Sequence, residues 1–183
     1  MSIITPPQHK LTYEDYAKIP EDGQRHEIIN GEHFKNPAPG TQHQHVSKRL
    51  QYLLYTKIEL AGLGVMFDAP VDVQLSPFDI VQPDLVVVLN ENVRKITPKK
   101  IKVAPHLVVE ILSPSTTGYD RSHKKELYQR AGVQEFWIVD PFDQQVEQWV
   151  LRDGIYFQIP ASSSVIRLTI IDGIEIDLNW CGK

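Results

Sequence analysis

The sequence is poor in cysteine, in long apolar runs and in excess positive charge. Its one cysteine, Cys181, cannot form an intramolecular disulfide, which excludes a disulfide-stapled fold and favours a reducing compartment. No segment approaches the roughly 18 consecutive apolar residues of a membrane-spanning helix, and the first ten residues, MSIITPPQHK, lack the apolar stretch of a signal peptide. We therefore expect a cytoplasmic protein with no membrane partner.

The charge balance is slightly acidic. The chain has 19 Lys and Arg residues against 23 Asp and Glu residues, a formal net charge of −4. This balance argues against nucleic-acid binding by bulk electrostatics. A nucleic-acid role would need a local basic face, or metal ions that offset carboxylate charge. The sequence also lacks a glycine-rich phosphate loop, a G-x-S-x-G nucleophile motif and a cysteine pair for zinc.

The hydrophobic patterning predicts one mixed sheet with helices. The 183 residues, 42% of them hydrophobic, suit a single domain over residues 1–183. A capping box of Thr12 and Asp15 predicts a short helix, apolar spacing predicts two longer ones, and Asn30-Gly31 predicts a hairpin turn. We expect an α/β or α+β chain with helices at 42–61 and 119–131, and with strands at 25–29, 32–35, 64–75 (with a break at Pro70), 84–89, 106–112, 134–139, 145–151, 155–159 and 174–178.

Two acidic residues lie in the most apolar strands. Asp84 opens the run Leu85–Leu89, and Glu110 nearly closes the run Leu107–Leu112. If these strands pair antiparallel, both carboxylates lie at the same end of the sheet. Two converging carboxylates form a hard-oxygen site that suits Mg²⁺ or Mn²⁺. The alternative for each acid alone is that it merely marks the end of a strand.

A lysine lies on the apolar face of the helix after Glu110. Lys124 shares that face with Leu127, Tyr128 and Ala131, where a lysine is unusual. It could extend outward to solvent or pair with Asp120, four residues earlier. It could instead place its ammonium group beside the Glu110 carboxylate, where it would orient an attacking water or stabilise a phosphate.

The sequence resembles a known family in several segments. Pro83-Asp84, Glu110 after an apolar run, and then Lys124 are similar to the PD-(D/E)xK nuclease signature with a displaced lysine. The wider pattern resembles the Uma2 family of restriction endonucleases, which is common in cyanobacteria. The matching segments are RHEIING at 25–31, HQ at 43–44, PDL at 83–85, VEILSPST at 109–116, Asp120, Lys124, Tyr128 and GVQEFWIVDP at 132–141. The resemblance spans residues 12 to 180.

The resemblance implies a fold, a reaction and a set of site residues. It implies a restriction-endonuclease-like αβββαβ core with added C-terminal antiparallel strands, metal-dependent phosphodiester hydrolysis of DNA and a homodimer. It assigns Asp84 and Glu110 as Mg²⁺ or Mn²⁺ ligands, with the Ile111 carbonyl as a third. The superfamily's usual lysine position is occupied here by Leu112, so Lys124 would supply the catalytic charge from the helix.

Two further candidates, Glu27 and His43, also match family positions. Glu27 lies on the predicted hairpin and could extend the carboxylate cluster, or it could be a cross-strand partner within the hairpin. His43 lies at the start of the apolar stripe of the helix at 42–61, so it should point toward the core. It could approach the carboxylates, or it could be a capping or core histidine.

Three functions remain open from the sequence. The first is a Mg²⁺-dependent DNA endonuclease. The second is a DNA- or protein-binding module on a nuclease fold that has lost its activity, which Leu112 and the acidic balance favour. The third is a metal-dependent hydrolase of a smaller phosphoester. In each case the β-rich segment 145–178 has edges to cover, which favours a homodimer.

Overall fold

The computed structural model of the protein describes residues 9–113, 120–160 and 165–179, and it omits the side chains of 120 and 121. The helices are α1 Tyr13–Tyr16, α2 Thr41–Leu54 and α3 Lys125–Ala131. The strands are β1 Arg25–Ile29, β2 Glu32–Asn36, β3 Gly64–Asp68, β4 Val73–Ser76, β5 Asp79–Val81, β6 Leu85–Leu89, β7 Leu107–Ile111, β8 Glu135–Asp140, β9 Gln145–Arg152, β10 Ile155–Ile159, β11 Val165–Arg167 and β12 Glu175–Asp177.

A mixed sheet of six strands forms the centre of the molecule. Its order is β10-β9-β8-β7-β6-β3, and β7 and β8 are its one parallel pair. Parallel neighbours need a crossover connection, and α3 lies within the segment that joins these two strands. The predicted mixed sheet with C-terminal antiparallel strands is therefore confirmed.

A second, smaller sheet was only partly predicted. Its order is β2-β1-β5-β4. The hairpin β1–β2 turns at Asn30 and Gly31, which both have positive φ angles (53° and 83°), as the Asn-Gly signal predicts. The strand predicted over 64–75 with a break at Pro70 is two strands on either side of that break, and β3 belongs to the central sheet whereas β4 belongs to the smaller one. The alternation of apolar residues continues across the break near Pro70 and hid the change of sheet.

The central sheet buries apolar residues on both faces. On one face, Leu85, Val87 and Val109 pack against α2 residues such as Leu50 and Leu54. The same cluster includes Ile166 and Ile176 of the hairpin β11–β12. On the other face, a second cluster joins central-sheet residues to the smaller sheet and α3; it includes Val86, Val108, Val73, Val81, Leu127 and Tyr128. This covering of both faces explains why β6 and β7 are almost continuously apolar.

The helices differ from prediction at their ends. α2 ends at Leu54 and continues as a π-helical turn, Tyr55–Glu59, close to the predicted end at residue 61. A second π-helical turn, Asp120–Lys124, precedes α3. Such turns are frequent at functional sites, and this one carries Lys124. Residues 114–119, where the predicted helix begins, lie outside the described residues.

Candidate active site

The two acids of the apolar strands lie at the same end of the central sheet. β6 and β7 pair antiparallel with Leu85 opposite Val109, as predicted. One residue beyond this register, Asp84 faces Glu110 across the two strands. Both residues are nearly fully buried: Asp84 is 4% exposed and Glu110 is 3% exposed. Buried carboxylates are costly unless they are paired or hydrogen-bonded, so their partners decide what the site can do.

Asp84 accepts hydrogen bonds at both carboxylate oxygens. Arg25 Nη1 donates to Oδ1 at 2.8 Å. His43 Nε2 and the backbone N–H of Ile111 donate to Oδ2 at 3.0 and 2.8 Å. Burial alone would raise the pKa of Asp84, but the hydrogen bond and charge of His43, together with Arg25 and the Ile111 amide, lower this pKa to about 2.

Glu110 accepts hydrogen bonds from two side chains that the segment after β7 supplies. Lys124 Nζ donates to Glu110 Oε1 at 2.9 Å, and Tyr128 Oη donates to the same oxygen at 2.6 Å. Lys124 is 3% exposed, so it does not extend to solvent. The side chain of Asp120, its other predicted partner, lies outside the described part of the structure.

Glu27 lies on the opposite side of the same lysine. Lys124 Nζ is 3.2 Å from Glu27 Oε1, which also accepts a hydrogen bond from the backbone N–H of Gln82 at 2.8 Å. Asn36 Nδ2, on the neighbouring strand, donates to Glu27 Oε2 at 2.8 Å. Glu27 therefore joins the carboxylate cluster from β1, and Lys124 bridges it to Glu110.

His43 lies in the first turn of α2 and points inward. It is buried, and its Nε2 atom contacts Asp84. Its other ring nitrogen, Nδ1, is buried and has no hydrogen-bond partner among the described residues. His43 thus orients Asp84 from the helix side of the sheet.

These side chains surround one cleft at the end of the central sheet. The residues that line it include Arg25, Asn36, His43, Asp84, Glu110 and Lys124. Ile111 also lines it, whereas Glu27 is fully buried and reaches the site through its contact with Lys124. The five predicted side chains therefore form two contacting groups at this cleft, His43 with Asp84 and Lys124 with Glu110 and Glu27. Their catalytic and metal-binding roles stay predictions.

Comparison with known proteins identifies the family. A model of the family Uma2, described as "Putative restriction endonuclease", matches residues 13–179. The chain belongs to the Uma2 family. A cyanobacterial protein from Synechocystis, "Uncharacterized protein slr1290", is 27% identical over 150 residues, which cover 80% of this chain and 77% of that protein.

A solved structure shares the fold of this Uma2 protein. It is the crystal structure of a putative nuclease belonging to DUF820 from Anabaena variabilis. The TM-score is 0.77 at 16% identity, over 93% of this chain and 97% of that one. At this identity the likeness shows the fold alone, and it confirms the predicted nuclease-like fold class.

Two side chains that hydrogen-bond to Asp84 or Glu110, those of Arg25 and Tyr128, were missed as site residues. Arg25 lies two residues before Glu27 on β1, so the period of two in a strand places both side chains on one face. Tyr128 lies four residues after Lys124, one turn further along the helix. Both spacings were visible in the sequence. However, an arginine on a strand and a tyrosine on a helix are common, and the spacing alone did not show that their partners would be Asp84 and Glu110.

The described residues contain no group of three or more His, Cys, Asp or Glu side chains that could hold a metal ion. A site built on Asp84 and Glu110 would therefore need backbone oxygen and water as its remaining ligands. None of the helices in the described ranges is long and apolar enough to cross a membrane.

Proposed function

We propose that this Uma2 protein is a divalent-metal-dependent DNA endonuclease that hydrolyses phosphodiester bonds. The observation that carries the proposal is the meeting of Asp84 and Glu110 at facing positions in one cleft, with Lys124 2.9 Å from Glu110. Family membership supports the same reaction class.

The residues of the cleft fit a hard divalent ion. Carboxylate and carbonyl oxygens are the ligands that Mg²⁺ and Mn²⁺ prefer, and Asp84, Glu110 and the Ile111 carbonyl would supply them. Three carboxylates, those of Glu27, Asp84 and Glu110, are joined to two cationic side chains, Arg25 and Lys124. A bound ion of this kind lowers the pKa of a coordinated water and offsets charge on phosphate.

The other side chains position Lys124. Glu110 and Glu27 hold its ammonium group between them, and Tyr128, Asn36 and the Gln82 amide fix those two carboxylates. Lys124 also lines the cleft, so its charge faces the space that a phosphate would enter. A cation held in advance at such a place stabilises the negative charge that develops in the transition state.

Metal titration and a cleavage assay test the proposal together. We expect Mn²⁺ to bind the wild type and to support cleavage of plasmid DNA, and Ca²⁺ to bind without supporting cleavage. Asp84→Asn should lose both Mn²⁺ binding and cleavage. Asp79→Asn is the matched control, because Asp79 is also buried and paired with an arginine, Arg130, but lies outside the cleft. Equal Mn²⁺ affinity in the wild type and Asp84→Asn would remove Asp84 from the site.

A binding module without activity is the second candidate. Both oxygens of Asp84 already accept hydrogen bonds from protein groups, and Leu112 occupies the position of the usual lysine. The wild type would then bind DNA but cleave neither plasmid nor single-stranded DNA with Mg²⁺ or Mn²⁺ at any pH. Cleavage of a chromogenic phosphodiester without cleavage of DNA would instead favour a hydrolase of smaller substrates.

A further inference from the structure

The hydrogen bonds of Asp84 limit how a metal ion could reach it. Oδ2 accepts from both His43 and the Ile111 amide, which occupies its two lone-pair directions. Oδ1 accepts from Arg25 at 2.8 Å. Three of the roughly four acceptor positions of the carboxylate are therefore used, and an ion at the remaining position of Oδ1 would lie against the Arg25 guanidinium, whose positive charge repels it.

Arg25 is the donor that can move at the lowest cost. The Ile111 amide is part of β7, and the His43 side chain is 7% exposed within the first turn of α2. The Arg25 side chain is 22% exposed, long, and attached at the first residue of β1. Its Nε atom is buried and has no hydrogen-bond partner among the described residues, so part of its donor capacity is unused in this arrangement.

A displaced Arg25 would still lie in the cleft. It lines the same cleft as Asp84, Glu110 and Lys124. A guanidinium group that presents Nε and Nη donors side by side matches two oxygens of a phosphate, whereas its present contact with Asp84 uses Nη1. A phosphate that reaches a metal ion at Asp84 would thus meet the Arg25 guanidinium, which the metal ion had displaced from Asp84.

We propose that Arg25 blocks the metal site by pairing with Asp84, and that metal binding transfers its guanidinium to a phosphate oxygen of the bound nucleic acid. This inference rests on the proposed function. It makes Arg25 a residue that opposes metal binding in the absence of DNA and favours DNA binding in the presence of metal. An arginine with only a structural role would not produce these two opposite effects.

Two titrations of Arg25→Gln test the exchange. Calorimetry with Mn²⁺ and no DNA should show about tenfold tighter binding than in the wild type, because a charge-assisted competitor is gone. Fluorescence anisotropy of a short DNA duplex in Ca²⁺ should show about tenfold weaker binding and a salt slope reduced by about 1. Arg130→Gln is the control, since it removes an arginine paired with a buried aspartate outside the cleft. Both affinities should be unchanged in it.

Each result separates the inference from the proposed function. If the wild type binds Mn²⁺ and Arg25→Gln binds it equally or more weakly, the exchange is wrong and the metal site stands. If neither protein binds Mn²⁺, both proposals are wrong. If Arg25→Gln binds Mn²⁺ and the wild type does not, the result supports the inference that Arg25 blocks the metal site.

Arg25→Lys, which retains the charge, is used if Arg25→Gln unfolds. It should keep the wild-type salt slope but lose several-fold in DNA affinity, and unchanged DNA affinity would contradict a two-donor phosphate contact.

Discussion

Lys124 has a structural role that must be separated from its proposed catalytic role. Its ammonium group is buried between Glu110 and Glu27, at 2.9 and 3.2 Å from their oxygens. Removing one partner of a buried ion pair leaves an uncompensated charge, which typically destabilises by about 3–5 kcal/mol. A substitution of Lys124 therefore changes stability as well as chemistry, and the two effects have to be measured separately.

Lys124→Met should lose cleavage while it keeps metal binding and most DNA affinity. In the proposed reaction the lysine ammonium stabilises the transition state more than it stabilises the bound duplex. The loss of one such contact typically costs ~10²–10³-fold in rate. Single-turnover cleavage, measured where circular dichroism shows the variant folded, checks this. Lys125→Met is the control, because the neighbouring Lys125 packs over Trp149 instead. Wild-type rates in Lys124→Met would exclude a catalytic role, and Leu112→Lys in that background tests whether the usual strand position restores activity.

Asp84 should make stability depend on pH in the acid range. Its pKa in the folded protein is about 2, below the value of about 3.9 in an unfolded chain. Its contribution is therefore fully present above the unfolded value and is lost as pH falls toward 2. Urea unfolding with a chelator present should show that the stability difference between wild type and Asp84→Asn shrinks by about 2 kcal/mol from pH 6 to pH 2. A difference that is constant with pH would contradict this.

Single residues were predictable where a local pattern marked them as unusual. Asp84 and Glu110 stood out as acids in apolar strands, and Lys124 as a lysine on an apolar helix face. The pairing of Arg25 with Asp84 joins positions 59 residues apart. It depends on how the smaller sheet packs against the central one, which no local pattern reveals.

At the scale of elements, the strands whose two faces are both buried were predicted well. β6, β7 and β8 are buried on both faces and read as short apolar runs. β5 has three residues, too few for a pattern, and was missed. The break predicted at Pro70 does separate β3 from β4, but their membership of two sheets was missed. Alternation shows the conformation of a segment but not the sheet that it joins.

Glu135 connects three elements through one buried carboxylate. Trp137 Nε1 and Gln148 Nε2 donate to its Oε1 at 2.6 and 2.8 Å. The amide and hydroxyl of Thr169 donate to its Oε2, both at 2.7 Å. Because Thr169 lies between β11 and β12, Glu135 fixes this C-terminal hairpin to β8 and β9.

Glu135→Gln should destabilise the protein by about 3 kcal/mol. The amide nitrogen of glutamine cannot accept the two hydrogen bonds at its position, and each unsatisfied buried donor costs about 1–3 kcal/mol. Urea unfolding measures the change. Glu175→Gln is the control: Glu175 is 51% exposed in its pair with Arg167, so its loss should change stability by at most about 0.5 kcal/mol. Equal effects of the two substitutions would show that Glu135 is not an anchor.

At the scale of the whole molecule, the cleft forms where several separate elements converge, including the π-helical turn that brings Lys124. β1 brings Arg25 and Glu27, the start of α2 brings His43, and the facing ends of β6 and β7 bring the two acids. The sequence predicted most of these groups one at a time. Their convergence follows from the crossover between β7 and β8 and from the smaller sheet covering one face, and both are properties of the tertiary packing.

The exposed edge of the central sheet favours the predicted homodimer. β10 is an edge strand that pairs with β9 and, within the described ranges, with no further strand. Ile155 and Phe157 of β10 are 56% and 50% exposed, and an exposed apolar edge strand tends to pair with another chain. A dimer would also present one cleft to each strand of a DNA duplex.

Sedimentation at micromolar concentration tests the association through β10. We expect the wild type to sediment as a dimer and Phe157→Glu to sediment as a monomer, because a buried charge at the contact between two copies would be unpaired. Tyr52→Glu is the matched control: Tyr52 is an aromatic residue of α2, 69% exposed and on a different element. It should leave the dimer intact. A monomeric wild type would contradict the predicted homodimer, and a dimeric Phe157→Glu would show that the contact between the two copies does not involve Phe157 of β10.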